Sequence, residues 1–289
     1  MNNEISKMLI KYPHLNPSTS RNALKEVIQE VTLHTLSTTD FFSHAAFYGG
    51  SALRIFHNLD RFSEDMDFSL KNKDLSFSLL DYLPAIEKGL ASFGFEIATS
   101  HKEKQTDSNI QSEFLKGNTL VHLVKIFDLS APISGVHNNE LLKIKIEIDI
   151  NPPSGTSYEQ KFRLLPVPFS VLLYDKPSLF AGKLHALLCR NWKSREKGRD
   201  FYDYVWYLGE RIPVNINHLK ERMIQTGHWV RGNTLDLQKV KELLYNRFEM
   251  IDYDRVKQDV VPFITNPLAL DIWSKEFFIA ITKENLTSE

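Results

Sequence analysis

The sequence predicts an α+β chain, a mixed-sheet domain followed by a helical one. Three observations carry that prediction. Strand-length apolar runs alternate with helical patterns as far as Pro152-Pro153. From Pro177 onward the pattern is almost wholly helical. Between them, Pro166-Val167-Pro168 supplies a linker. The expected division is therefore a sheet domain over residues 1–166 and a helical domain over 167–289.

Each element has its own reason. Residues 20–44 place Leu24, Val27, Ile28 and Val31 on one helical face. Ala45-Ala46-Phe47-Tyr48 is short, apolar and closed by Gly49-Gly50, which fits a buried strand. Ser51 is a good N-cap for a helix through Phe56, with Leu53 and Phe56 on one side, and Asn58-Leu59-Asp60-Arg61 ends it. Asp65 to Leu70 alternates with period two: Met66, Phe68 and Leu70 point one way, Asp65, Asp67 and Ser69 the other. Residues 75–93 repeat Leu79, Leu80, Leu83, Ile86 and Leu90 at helical spacing, stopped by Gly94. Strands are expected over 95–102, 119–127 and 141–150, with loops at Gly117-Asn118 and 135–139 and a last extended piece over 163–167. The polar stretch 283–289 is expected to fray.

With 289 residues, 42% hydrophobic and 25% charged, the chain suits one large or two modest soluble domains. No apolar run has the length of a membrane span, and Met1-Asn2-Asn3-Glu4 does not read as a signal peptide. The single Cys189 excludes an internal disulfide framework and a multi-cysteine zinc site, and within Ala186-Leu187-Leu188-Cys189 it reads as a buried structural thiol. His44, His57 and His185 show no metal-ligand spacing and read as structural. These features together suit a cytoplasmic protein. The net charge of −1 means that a nucleic-acid partner would need a local basic surface. Lys183, Arg190, Lys193, Arg195, Lys197 and Arg199, interrupted by Trp192, form one in sequence; a solvated helix connection is the plainer reading of the same run.

The chemistry concentrates at Gly49-Gly50-Ser51 and Asp65-Met66-Asp67. Glycines let backbone approach a polyphosphate, and a helix start with a serine offers donors to it. Two carboxylates on one strand face repel each other and cost desolvation unless cations join them. Asp65 and Asp67 are therefore candidate ligands for a divalent metal shared with the phosphates. On the strand Leu141 to Ile150 the isoleucines form one face and Lys145, Glu147 and Asp149 the other. Lys183 lies on an apolar helix, with Arg190 near the same face, and Arg199-Asp200-Phe201-Tyr202-Asp203 opens another helix, where capping alone would explain one acid.

The segment GGSALR…RFSEDMDFSL resembles the first motif of the AbiEii/AbiGii nucleotidyltransferases, within the DNA-polymerase-β-like superfamily. The blocks Lys183-Leu184-His185-Ala186 to Arg190 and Arg199-Asp200 to Asp203 resemble that family's later motifs, as does the strand ending in Asp149-Ile150-Asn151-Pro152-Pro153. The resemblance runs from about Phe47 to Tyr207; the remainder carries no motif of its own. It implies a catalytic sheet of the polymerase-β type, with the helical domain completing the cleft. It also implies metal held by Asp65, Asp67 and a third carboxylate, with Asp149 the best match and Glu147 its competitor. Gly49, Gly50, Ser51, Lys183 and Arg190 would bind nucleotide, and Asp200 and Asp203 would be pocket acids, Asp200 first. The implied reaction transfers NMP from an NTP to an acceptor hydroxyl with Mg²⁺ or Mn²⁺ and releases pyrophosphate. Members are typically toxins of toxin–antitoxin or abortive-infection systems, so the implied partners are a cognate antitoxin and an acceptor, first the tRNA 3′ end. Nucleotidylation of a protein or of a small molecule such as an antibiotic is the alternative. A nucleotide- or RNA-binding module without activity is a third reading, against which the paired carboxylates argue.

Overall fold

The stripe Leu24, Val27, Ile28 and Val31 is fully buried, and it anchors the first of two compact units into which the chain divides. The computed structural model describes residues 3–12, 17–101, 110–118, 141–190 and 197–289. The strand expected over 119–127 and the residues Trp192, Lys193, Arg195 and Glu196 lie outside them. The sheet unit comprises Met1–Asn58, Phe62–Pro152 and Glu159–Leu173; the helical unit comprises Leu59–Arg61, Pro153–Tyr158 and Tyr174–Glu289. The α+β order is as expected.

In the sheet unit, helices α1 (Asn3–Leu9), α2 (Pro17–Ser37) and α3 (Phe41–His44) precede strand β1 (Ala45–Tyr48). Helix α4 (Gly49–His57) and strand β2 (Met66–Leu70) follow, then a 3₁₀ turn (Leu79–Tyr82) and α5 (Leu83–Ser92). Strands β3 (Ile97–His101), β4 (Ile110–Asn118), β5 (Leu141–Asp149), β6 (Tyr158–Arg163) and β7 (Phe169–Tyr174) complete a seven-stranded sheet of order β3-β4-β5-β2-β1-β7-β6. It is mixed: β2 runs antiparallel to β1 and parallel to β5, while β1 runs parallel to β7. Central position explains why Ala45, Ala46 and Phe47 are all fully buried. The rings of Phe41 and Phe47 each lie 5.0 Å from that of Phe68, an aromatic cluster that adds to simple area burial.

Several expectations are corrected. The helix expected from residue 75 begins later, because the Asp74 carboxylate accepts from the Ser76 amide and hydroxyl in a local turn and Pro84 opens α5. Leu80, expected on the apolar face, is 44% exposed. Residues 110–118 form a strand that the polar sequence Gln111-Ser112-Glu113 concealed, and Gly117-Asn118 pair with Leu142 and Leu141 instead of forming a loop. The expected piece at 163–167 is replaced by β6 and β7 on either side of it.

The helical unit contains α6 (Lys176–Cys189), α7 (Gly198–Gly209), α8 (Ile216–Gln225), α9 (Leu237–Glu249), α10 (Tyr253–Val260) and α11 (Lys275–Asn285). Phe180 stacks on Tyr207 at 4.4 Å, and Phe278 is ringed by Phe201, Phe248 and Trp273. A side chain on Gly198 would overlap the Val256 carbonyl, so α7 and α10 meet at backbone distance there. The stretch expected to fray is ordered: α11 runs to Asn285, Leu286 is buried, and the backbone at Thr287 and Glu289 bonds Val214. Among the described residues no helix is long and apolar enough to cross a membrane.

The core assignment has a direct check. Phe68→Ala should cost about 3–5 kcal/mol in urea unfolding. Phe162→Ala, at a ring 74% exposed on β6, should stay within about 0.5 kcal/mol of wild type.

Candidate active site

Antiparallel pairing sets Tyr48 opposite Asp67 and Phe47 opposite Phe68. The carboxylate of the motif strand is thereby delivered to the residue just before the glycine turn. Gly49 then takes a left-handed φ of 81°, and a Cβ there would run into the Asp67 carboxylate. Gly49 and Asp67, eighteen positions apart in sequence, therefore meet at one edge of the sheet only because residue 49 has no side chain. Met66, Phe68 and Leu70 are buried beneath, as the alternation predicts, while Asp65 and Asp67 are partly exposed.

Ser51 departs from its expected role as N-cap. The helix starts at Gly49, and Tyr48 occupies the cap position without a side-chain capping bond. Ser51 is fully buried and its hydroxyl donates to the Asp65 backbone carbonyl, tying the helix start to the main chain of the first motif aspartate. Among the other helices, α6, α8, α9, α10 and α11 carry side-chain caps at Asp175, Asn215, Asp236, Asp252 and Ser274. The cap residues of α3, α4, α5 and α7 make no such bond. A helix start without a cap presents amide donors and positive potential to an anion.

Strand β5 brings the third-carboxylate candidates alongside β2. Its register sets Glu147 beside Asp67 and Asp149 beside Ser69, on the same sheet face. Glu147 is engaged by Lys145 at 2.6 Å and by the Ser112 hydroxyl at 3.0 Å. One Asp149 oxygen accepts the Asn151 amide at 2.9 Å. This is an all-oxygen carboxylate set, the chemistry that suits Mg²⁺ or Mn²⁺.

The helical unit gathers the later motif residues by itself. Lys183 Nζ lies 2.6 Å from Asp200 and 2.7 Å from Asp203. Arg190 binds the other Asp200 oxygen at 2.7 Å. Arg61 completes the group with a two-pronged grip on Asp203 at 2.6 and 2.7 Å. Burial works to raise the Asp200 carboxyl, but Lys183 and Arg190 outweigh it and hold it below its ordinary value. Arg61 was read from sequence only as part of a helix end; its place at the head of Arg61-Phe62-Ser63-Glu64-Asp65 was the available signal.

Two checks follow from these geometries. Gly49→Ala should abolish activity, because a methyl group displaces the Asp67 carboxylate and the backbone is strained, while Gly209→Ala, with open space around it, should be silent. Asp200 is deprotonated more readily when folded, so its contribution is complete above its ordinary value near 3.8 and is lost as pH falls through the lower folded value. The stability gap between wild type and Asp200→Asn, read from urea midpoints, should therefore close below about pH 4.

The sequence profile described as "Nucleotidyl transferase AbiEii toxin, Type IV TA system" matches residues 32–279. Among solved structures, a chain from H. pylori provisionally assigned as a nucleotidyltransferase is 18% identical, with 89% of each chain covered and a TM-score of 0.47. JHP933 from Helicobacter pylori is 15% identical, with 90% of this chain and 89% of that one covered and a TM-score of 0.48. Among curated proteins, none matches the sequence. The family match spans both units and every motif residue described above, so this chain belongs to the AbiEii nucleotidyltransferase toxin family of type IV toxin–antitoxin systems.

Proposed function

We propose that the chain transfers NMP from an NTP to a hydroxyl of an RNA acceptor, first the tRNA 3′ end, and that its cognate antitoxin restrains this activity in the cytoplasm. The observation that carries the reading is the packing of the Asp67 carboxylate against the Gly49 turn at the start of α4. A carboxylate that would hold metal then adjoins helix amides that would seat a phosphate, which nucleotidyl transfer requires and a plain binding module does not.

In this reading Asp65 and Asp67 would hold a divalent cation, Mg²⁺ or Mn²⁺, with Asp149 as third ligand or base; when bound it would supply positive charge against the triphosphate. The Lys145–Glu147 ion pair favours Asp149 over Glu147, because it already neutralises the competitor. Gly49, Gly50 and Ser51 present the α4 amides to the β- and γ-phosphates, and the Ser51 hydroxyl fixes Asp65. The acceptor oxygen attacks the α-phosphorus, its proton passes to Asp149, and the bond to the bridging oxygen breaks to release pyrophosphate. We assign Lys183 and Arg190 to the triphosphate, with Asp200 and Asp203 holding Lys183 in place.

The test is transfer of label from α-labelled NTPs to total RNA, lysate protein or aminoglycosides in Mg²⁺ buffer. Label is expected in tRNA. It should fall more than about a hundredfold in Asp65→Ala and Asp67→Ala, and vanish in excess chelator, because a lost metal ligand removes several kcal/mol of transition-state stabilisation. Label in protein or drug would move the acceptor assignment there. Absence of label in every class would overturn the reading.

A further inference from the structure

Helix α6 carries His185 and Cys189 four residues apart, on one face and one turn from each other. His228, just beyond α8, brings a third donor. One ligand atom from each of the three lies within 4.8 Å of the others. The sequence alone shows no metal-ligand spacing at His185, because the third member comes from a turn more than forty residues beyond it.

The two imidazoles converge on one point. His185 Nε2 lies 2.9 Å from the Thr226 hydroxyl and His228 Nδ1 lies 3.0 Å from it, so these nitrogens face each other across a single oxygen. That hydroxyl also reaches the Arg222 carbonyl at 3.0 Å.

We propose that His185, Cys189 and His228 bind one Zn²⁺-class ion, with water as fourth ligand. The donor set is two imidazoles and a thiol, which selects a borderline-soft ion and rejects Mg²⁺. It is chemically distinct from the all-carboxylate set of the sheet unit and does not depend on the proposed transferase activity. Bonds of about 2.0–2.3 Å at tetrahedral angles place ligands roughly 3.5 Å apart, so the atoms must close by about 1 Å. His228, at an exposed turn, has room to do so.

Binding displaces the Cys189 thiol proton to solvent as the metal–sulfur bond forms. The Arg222 Nε, buried and without a hydrogen-bond partner, opposes a free cation but favours the thiolate that binding creates.

The test uses the full chain, stripped with chelator and titrated with Zn²⁺ against a chromophoric competitor in excess Mg²⁺, which occupies the carboxylates. One equivalent should bind, with about one proton released. Co²⁺ in its place should give a thiolate-to-metal charge-transfer band that Cys189→Ser removes. His228→Ala, at an exposed position where folding is not at risk, should weaken Zn²⁺ binding more than tenfold. No bound equivalent in the wild type, equal affinity in His228→Ala, or a Co²⁺ spectrum without the thiolate band would each overturn the site.

Discussion

The pairing of Tyr48 with Asp67 is the constraint on which the sheet unit's chemistry depends. A strand face alternates residue by residue, so a slip of one position between β1 and β2 would turn Asp67 into the core and Met66 out of it. Phe47, Phe68 and Phe41 make that slip costly, because their rings meet only in the observed register. The apolar side of β2 thus fixes what the polar side can do. The same logic runs one strand further, where the buried Ile146 and Ile148 keep Glu147 and Asp149 on the carboxylate face.

Buried charge is handled twice, in two ways. In the sheet unit, Glu26 and Glu30 of α2 are buried and paired with Lys11, Arg54 and Arg163. Burial raises the Glu26 carboxyl, and Lys11 and Arg54 more than reverse it. In the helical unit, Asp200 and Asp203 are held by Lys183, Arg190 and Arg61. Both groups join two acids to three cations, so neither ion pairing nor burial alone distinguishes function from architecture. Removing one partner from either group leaves a buried charge uncompensated, at about 3–5 kcal/mol, whereas the intact pair contributes far less. What singles out the second group is that its residues fall on the family's motif positions.

The sequence disclosed what depends on local pattern. The alternation at Met66, Phe68 and Leu70, the isoleucine face of β5 and the stripe on α2 are periodic, and each proved buried as read. The α+β order and the nucleotidyltransferase family were legible for the same reason, since motif and strand coincide. What escaped depends on tertiary partners. Strand β4 is polar in sequence and exists because β5 offers a nine-residue ladder. Ser51 looked like a cap because caps are serines, but a buried carbonyl at Asp65 outcompeted that role. Arg61 and His228 act through residues far along the chain, and no window of sequence contains both partners.

The start of α4 bears on how this fold could be hardened. Its cap residue Tyr48 makes no side-chain capping bond, as holds also for α3, α5 and α7, whereas five helices among the described residues have such a cap. A side-chain cap is worth about 0.5–2 kcal/mol, so selection for thermal resistance alone would favour aspartate or asparagine at position 48. Under the proposed function that new side chain would compete with a phosphate for the α4 amides. Cap engineering at this one helix would then trade transfer for melting temperature, while the same change at α3 or α5 would not.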